Sequence, residues 1–239
     1  MKIYINEQFS EFLNHSIVRD LYNEVMFANP PESSSKYRGV RGAVIRKNIA
    51  GLSLVLRLYR RGGLARHFLS KSFIRNPFLG SSQYRPLKEF FILKRLSPPS
   101  ASFPVPTPVA VAVKVNKFTY SGMLITLEIP QAKTLLEQTP KKKELVKNCV
   151  TRAGELTREI IENGVYHTDL HLGNVMYQED GSVYLIDFDG AKIISTDAQK
   201  RSARKKIASR WCRSIRKWLG DDEGIIKNFE EPFLAALCK

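Results

Sequence analysis

Residues 165–190 read VYHTDLHLGNVMYQEDGSVYLIDFDG, and they indicate the fold more strongly than any other segment. They place His167 two residues before Asp169, and Asn174 follows that aspartate by five residues. Asp187 comes thirteen residues after Asn174. Two short strands are predicted here, one on each side of a polar turn. A hairpin of this kind fixes the separation between the first aspartate and the second.

This pattern matches the protein-kinase catalytic loop H-R-D-L-x-x-x-N followed by D-F-G, with Thr168 replacing arginine and Asp189 replacing glycine. Phosphoryl transfer spreads negative charge over phosphate oxygens, so catalysis depends on positioning and charge neutralisation. Asp169 would deprotonate the acceptor hydroxyl. Asn174 and Asp187 would hold Mg²⁺, which prefers oxygen ligands. The pattern therefore predicts a site that uses ATP and Mg²⁺.

The simpler alternative is a polar loop with incidental carboxylates, because Asp and Asn are common in turns. The fixed spacings, a helix predicted over 141–163 and strands predicted over 174–177 and 183–186 favour the kinase interpretation. We interpret His167 as a packing residue and His171 as an acceptor-side or solvated residue. Neither belongs to a visible set of transition-metal ligands.

The N-terminal half should supply the nucleotide clamp. Gly39 and Gly42 bound a candidate phosphate loop, although GVRG is shorter than the full glycine motif and an ordinary turn is the alternative. Arg57 lies on the predicted strand where kinases carry a phosphate-binding lysine. Glu89, in the following helix, is its candidate carboxylate partner. Lys47 on an earlier strand is the alternative anchor.

Strands are predicted mainly before residue 130 and helices after it. The strands are expected over 43–47, 52–59, 109–115 and 123–129, and the helix between the second and third of them over 87–96. This order indicates an α+β, bilobal protein-kinase-like fold. A β-rich N-lobe would cover 1–130, with a basic insertion at 60–86, and a helical C-lobe would cover 131–239. Five prolines between residues 98 and 108 predict a stiff connector.

Composition narrows the location and the partners. The 239 residues include 38 Lys and Arg against 23 Asp and Glu, a net charge of +15, which favours polyanions. No apolar run is long enough to span a bilayer, and the first residues lack a signal-peptide core. The three scattered cysteines fit a reducing compartment. A cytosolic protein with access to a membrane surface is expected.

The chain resembles the 3-deoxy-D-manno-octulosonic acid (Kdo) kinases of Gram-negative bacteria, within the lipopolysaccharide kinase group. The resemblance covers roughly 37–220, and it rests on Tyr37-Arg-Gly39, Leu56–Leu64 (LRLYRRGGL), Glu89-Phe90, Phe103–Val109, His167-Thr-Asp169 and Leu185–Asp189. The LRxYxRGGL block is the most discriminating of these, because general protein kinases lack it and carry lysine at the position of Arg57.

The resemblance implies ATP-dependent phosphorylation of a Kdo hydroxyl, the 4-hydroxyl, on a lipid A precursor. It also implies work at the cytoplasmic face of the bacterial inner membrane as a peripheral protein. The run His171-Leu-Gly-Asn174 departs from the Asn-Ala-His-Asn loop more usual in Kdo kinases and is closer to other members of the group. A core heptose, a small molecule or a protein therefore stays open as the acceptor.

A basic helix is predicted near the C-terminus. Lys200–Lys217 contains nine Lys and Arg residues and no acid, while Ile207, Trp211, Ile215 and Trp218 recur at helical spacing and should share one face. A solvated basic face is the ordinary interpretation, and an anionic membrane surface is the expected partner. The competing class is a nucleic-acid-binding module or a non-catalytic scaffold. No basic and aromatic interleaving is visible, so no nucleic acid partner is expected.

Overall fold

The chain forms two compact units. The computed structural model describes residues 1–27, 42–59, 72–100, 103–138, 143–220 and 222–239. One unit comprises Met1–Lys94 with Thr107–Glu128, and the other comprises Arg95–Pro106 with Ile129–Lys239. The first is built on a β-sheet and the second is mainly helical. The predicted α+β, kinase-like fold class is therefore confirmed.

The first unit is an antiparallel sheet with helices. Its elements are β1 (Lys2–Ile5), α1 (His15–Phe27), β2 (Gly42–Ile49), β3 (Leu52–Tyr59), β4 (Phe73–Ile74), α2 (Arg85–Leu96, whose last two residues belong to the second unit), β5 (Pro108–Val115) and β6 (Thr119–Leu127). The described strands pair in the order β1-β5-β6-β3-β2, and β4 pairs with β6.

Alternation along β3 assigns its side chains to two environments. Leu54, Leu56 and Leu58 are fully buried and join the apolar cluster formed with α1. Successive strand residues point to opposite faces. Arg57 and Tyr59 consequently lie on the other face, where they reach α2.

The strand predicted over 52–59 has those bounds in the structure. The helix predicted from residue 87 begins two residues earlier, at Arg85. Part of the predicted insertion, 60–71, lies outside the described residues. The remainder is integrated into the unit, because Phe73 pairs with Tyr120 in β6 and stacks on its ring.

The second unit contains short strands and longer helices. Its elements are β7 (Lys133–Thr134), α3 (Leu135–Gln138), α4 (Lys143–Glu162), β8 (Val165–Tyr166), β9 (Val175–Tyr177), β10 (Val183–Leu185), β11 (Lys192–Ile193), α5 (Asp197–Leu219), α6 (Glu223–Ile225), a π-helical turn (Ile226–Glu230) and α7 (Glu231–Cys238). Among the described strands, β9 pairs with both β10 and β7, and β8 pairs with β11. No helix in the described part of the chain is long and apolar enough to cross a membrane.

Aromatic stacking anchors α5 in this unit. The Trp211 ring stacks on Phe233 with centroids 4.0 Å apart, and its Nε1 donates to the Phe229 carbonyl at 2.8 Å. Ile207 and Ile215 are buried on the same face. Trp218 lies on this side of α5 by the same spacing, but it is exposed near the helix end and not buried like the other three.

The proline-rich connector packs within the second unit. The Phe103 amide donates to the Leu96 carbonyl at 2.8 Å, and the Leu185 amide donates to the Pro104 carbonyl at 3.0 Å. Val105 between them is buried. The connector thereby supports β10, the strand that leads directly to Asp187.

Candidate active site

His167 ties the loop after β8 to the segment after β10. Its ring is buried against Phe188, with centroids 4.7 Å apart. Nδ1 accepts the Asp169 amide at 3.3 Å, so Nε2 carries the proton and donates to the Ile186 carbonyl at 3.0 Å. Burial lowers the pKa of His167, which agrees with a neutral ring. The geometry matches a packing role for this histidine.

Asn174 is fixed at the end of a 3₁₀ turn, Leu172–Asn174. The His171 ring caps this turn by accepting the Gly173 amide at 3.1 Å, and burial lowers the pKa of His171. The Asn174 Nδ2 donates to the backbone carbonyl of Asp169 at 2.8 Å. The backbone carbonyl of Asn174 accepts the Ile186 amide at 3.0 Å. With Nδ2 committed, Oδ1 is the side-chain atom suited to accept or to ligate.

Asp187 adopts a left-handed backbone conformation, with a φ of 63°. Aspartate tolerates this region better than most residues, and such strained positions concentrate at functional sites. Its Oδ1 accepts the Asp189 amide at 3.3 Å, and the neighbouring Phe188 is buried. The buried Phe188 ring and the hydrogen bond to Asp189 together fix the position of the Asp187 backbone, from which the carboxylate extends.

Asp169 has an exposed carboxylate that pairs with α5. The Arg210 guanidinium donates to its Oδ1 at 2.7 Å, and both side chains are about half exposed. Sequence reasoning missed Arg210 as a site residue, because 41 positions separate the pair and no local pattern joins them. The basic character of α5 was the available signal. The arrangement presents the Asp169 carboxylate at the surface of the loop.

The side chains of Asn174 and Asp187 fit Mg²⁺ as a donor set. Both offer oxygen atoms, and the hydrogen bond from Nδ2 orients the asparagine so that Oδ1 is available. Such sites characteristically use one or two side chains and complete the shell with phosphate oxygens and water. These two residues would hold the ion, which would neutralise charge on the phosphates of ATP. Their metal-binding role stays a prediction.

The structure brings Arg57 and Glu89 together in the first unit. Arg57 Nη1 lies 3.1 Å and 3.4 Å from the two carboxylate oxygens of Glu89, which is 2% exposed. The Tyr59 hydroxyl also donates to Glu89, and the Arg57 guanidinium lies 5.0 Å from the Tyr59 ring centroid. The tyrosine was not among the predicted site residues, although alternation along β3 puts it on this face. A buried carboxylate with two donors holds the arginine in one orientation.

The other predicted clamp residues stand differently. Lys47, the alternative anchor, pairs with Glu24 of α1. Gly42 begins β2 directly opposite Tyr59 in the strand register. Gly39 lies outside the described residues. The phosphate-binding roles of Gly39, Gly42 and Arg57 stay predictions.

The fold is that of a kinase-type phosphotransferase, and the loop with Asp169 and Asn174 has the residue spacing of a kinase catalytic loop. The lipopolysaccharide kinase (Kdo/WaaP) family model matches residues 31–214, which is most of the chain. The chain therefore belongs to this family and is an ATP-dependent sugar kinase of lipopolysaccharide biosynthesis. That membership favours an enzyme over the non-catalytic basic module that its charge alone would also allow.

Relatives from several bacteria carry the name 3-deoxy-D-manno-octulosonic acid kinase. The Haemophilus influenzae protein is 32% identical over 189 residues, covering 73% of this chain and 75% of the relative. The Vibrio parahaemolyticus protein is 26% identical over 211 residues, covering 87% and 84%. The Vibrio cholerae protein is 30% identical over 155 residues, covering 64% and 62%, so this chain spans less than two thirds of that relative.

Proposed function

We propose that this protein transfers the γ-phosphate of ATP to a hydroxyl, the 4-hydroxyl, of Kdo on a lipid A precursor. The observation that carries the proposal is the loop in which Asp169 has an exposed carboxylate and the Asn174 side chain donates to the Asp169 backbone carbonyl. The names of the relatives supply the sugar.

Each residue has a defined task in the proposed reaction. The acceptor hydroxyl gives its proton to Asp169 as its oxygen bonds to the γ-phosphorus. The bond from that phosphorus to the bridging oxygen breaks, and ADP leaves. Arg210 holds the Asp169 carboxylate in place by donating to its Oδ1 at 2.7 Å. Arg57, held by Glu89, would contact the phosphates of ATP.

Product analysis tests the acceptor. The protein is incubated with labelled ATP, Mg²⁺ and lipid A precursors that carry Kdo alone or Kdo followed by heptose. Fragmentation by mass spectrometry, followed by NMR of the product, locates the phosphate. Phosphate at the Kdo 4-hydroxyl supports the proposal. Phosphate on heptose or at another Kdo hydroxyl would contradict it.

The same proposal includes peripheral association with an anionic membrane, at the cytoplasmic face of the bacterial inner membrane. Exposed basic residues along α5 support it. A turn in the first unit supports it as well, where Phe78 and Leu79 are 94% and 54% exposed. Hydrogen bonds between Asn76 and Gln83 at 2.7 Å hold this turn, so the apolar tip is preformed.

Vesicle sedimentation tests the membrane proposal. Binding to anionic vesicles should weaken as salt shortens the Debye length from about 10 Å at 0.1 M to about 3 Å at 1 M. Phe78→Ser with Leu79→Ser should weaken binding further, whereas Phe27→Ser removes an equally exposed ring elsewhere and serves as the control. Equal binding to neutral and anionic vesicles would show that charge is not responsible.

A further inference from the structure

A basic cavity lies beside the candidate catalytic base in the second unit. Its volume is about 290 Å³, and it is lined by Tyr166, Lys205, Lys206, Ser209, Arg210 and Arg213. Positions 206, 209, 210 and 213 recur at three and four residues, so α5 presents them on one side. The lining contains four cations and two hydroxyls and no acid. This composition suits an oxyanion.

Two groups of α5 cations differ in their partners. Lys200 and Arg204 pair with Glu162, and Arg216 pairs with Glu230. These pairs join α5 to neighbouring elements of the unit. Each of these three cations therefore already has a carboxylate partner within the fold.

The cavity cations are arranged differently. Within the described part of the chain, no carboxylate lies within ion-pair distance of Lys205, Lys206 or Arg213. Three like charges around one concavity repel each other unless an anion compensates them. The cavity therefore has an uncompensated positive charge that its own surroundings do not explain.

Arg210 connects this cavity to the chemistry. Its guanidinium lines the cavity and at the same time donates to the Asp169 Oδ1 at 2.7 Å. A guanidinium carries five N–H donors in a rigid planar group, so it can contact a carboxylate on one side and a second oxyanion on the other. An oxyanion bound in the cavity and Asp169, the candidate base, would therefore contact the same arginine side chain.

We propose that this cavity binds a carboxylate or phosphate of the acceptor and thereby delivers the neighbouring hydroxyl to Asp169. The inference rests on the proposed function, because it names the anion by which that acceptor is recognised. Kdo is itself an acid and supplies a carboxylate, and the lipid A precursor supplies phosphates. Both present the oxyanion that the cavity cations would bind.

Steady-state kinetics with detergent-solubilised acceptor test the proposal. Lys206→Gln and Arg213→Gln each remove one cavity cation from an exposed position, so folding should be unaffected. Each should raise the KM for acceptor by about tenfold, the effect of losing one charge-assisted contact, and leave the KM for ATP unchanged. Lys227→Gln removes an exposed charge outside the cavity and is the control. An unchanged KM for acceptor in both cavity variants would overturn the proposal.

Modified acceptors identify the source of the anion. One arm converts the Kdo carboxylate to its methyl ester, and the other removes the lipid phosphates. The acceptor that lacks the recognised anion should bind wild type and Arg213→Gln equally, because the interaction is then already absent. If both modified acceptors still discriminate wild type from Arg213→Gln as the intact acceptor does, the proposal is wrong.

The design separates this inference from the proposed function. If wild type phosphorylates a heptose acceptor and not Kdo, the proposed function fails, and the same variants are then measured with the heptose acceptor. A raised KM there would retain the cavity as an anion site. An unchanged KM there would overturn the cavity as well.

Discussion

Asp169 differs from the other catalytic-loop residues because its side chain is exposed, whereas His167 and Asn174 are buried and hold the backbone. Replacing it should therefore change chemistry and not folding. Asp169→Asn keeps the size and removes the proton acceptor, so kcat should fall by about 10²–10⁴ with an unchanged melting temperature. Asp180→Asn, in the turn between β9 and β10, is the matched control. Near-normal turnover of a folded Asp169→Asn protein would contradict the assignment.

Asp187 combines charge with a left-handed backbone, and the two contributions can be separated. Asn at this position also tolerates a φ of 63°, so Asp187→Asn should fold while losing the charge that attracts a cation. It should lose activity at every Mg²⁺ concentration. Asn174→Ala should instead raise the Mg²⁺ concentration needed for half-maximal activity. Wild-type activity that persists in excess EDTA would rule out this metal site.

At the level of elements, β3 and α2 meet through one cluster of Arg57, Tyr59 and Glu89. Arg57→Ala should lower kcat/KM for ATP, and the loss should correspond to about 2–4 kcal/mol of transition-state stabilisation. If Glu89 acts by positioning Arg57, the double variant Arg57→Ala/Glu89→Ala should have a kcat/KM for ATP only slightly below that of Arg57→Ala alone. Arg57→Lys should recover only part of the loss, because an ammonium lacks the planar fork.

The controls for this cycle are available on the same sheet. Arg46→Ala removes an exposed arginine from β2 and should leave kcat/KM for ATP unchanged. Urea unfolding of each variant should accompany the kinetics, since loss of Arg57 leaves Glu89 with fewer donors in a buried setting. Additive kinetic losses of Arg57→Ala and Glu89→Ala would show that the two side chains act independently.

The packing of α4 against α7 depends on a single glycine. A Cβ at Gly154 would approach the Phe233 carbonyl oxygen to 2.6 Å and the Ala236 Cβ to 2.8 Å. Gly154→Ala should therefore destabilise the protein by about 1–3 kcal/mol, although alanine has a higher helix propensity than glycine. Gly224→Ala, where the nearest atom is an Asp222 side-chain oxygen at 3.3 Å, is the control. Equal urea midpoints for the two variants would refute this packing argument.

The elements differ in how far the sequence predicts them. The strand β3 is predicted to its ends because leucine recurs at every second position along it, and α2 is predicted to within two residues. The elements β1 and α1 were not predicted, although Val18, Leu21, Tyr22 and Val25 are buried at helical spacing in α1. That spacing was a usable signal.

At the scale of the whole molecule, the sequence predicts the fold class and the catalytic loop but not its distant contacts. Asp169, Asn174 and Asp187 follow from spacing, because one loop and one hairpin carry them all. The Arg210 pair and the cavity depend on how α5 packs, which Trp211 and Phe233 determine from different helices. Contacts of this kind leave no local pattern, since the partners are set by tertiary structure.

The positive charges of the molecule do not all belong to one binding surface. Several α5 cations are paired within the fold, and others line the cavity beside Asp169. A basic stretch therefore carries structural and binding roles together. The two roles can be told apart only from the ion pairs in the structure, because the order of charged residues along the sequence does not show which cations are paired.

The most direct measurement of the central claim is mass spectrometry of a lipid A precursor carrying Kdo after incubation with labelled ATP and Mg²⁺. Wild type and Asp169→Asn are compared under the same conditions. We expect one added phosphate on the Kdo residue with wild type, and a strongly reduced yield with the variant. An unmodified Kdo residue with folded wild-type protein, or an equal yield from both proteins, would contradict it.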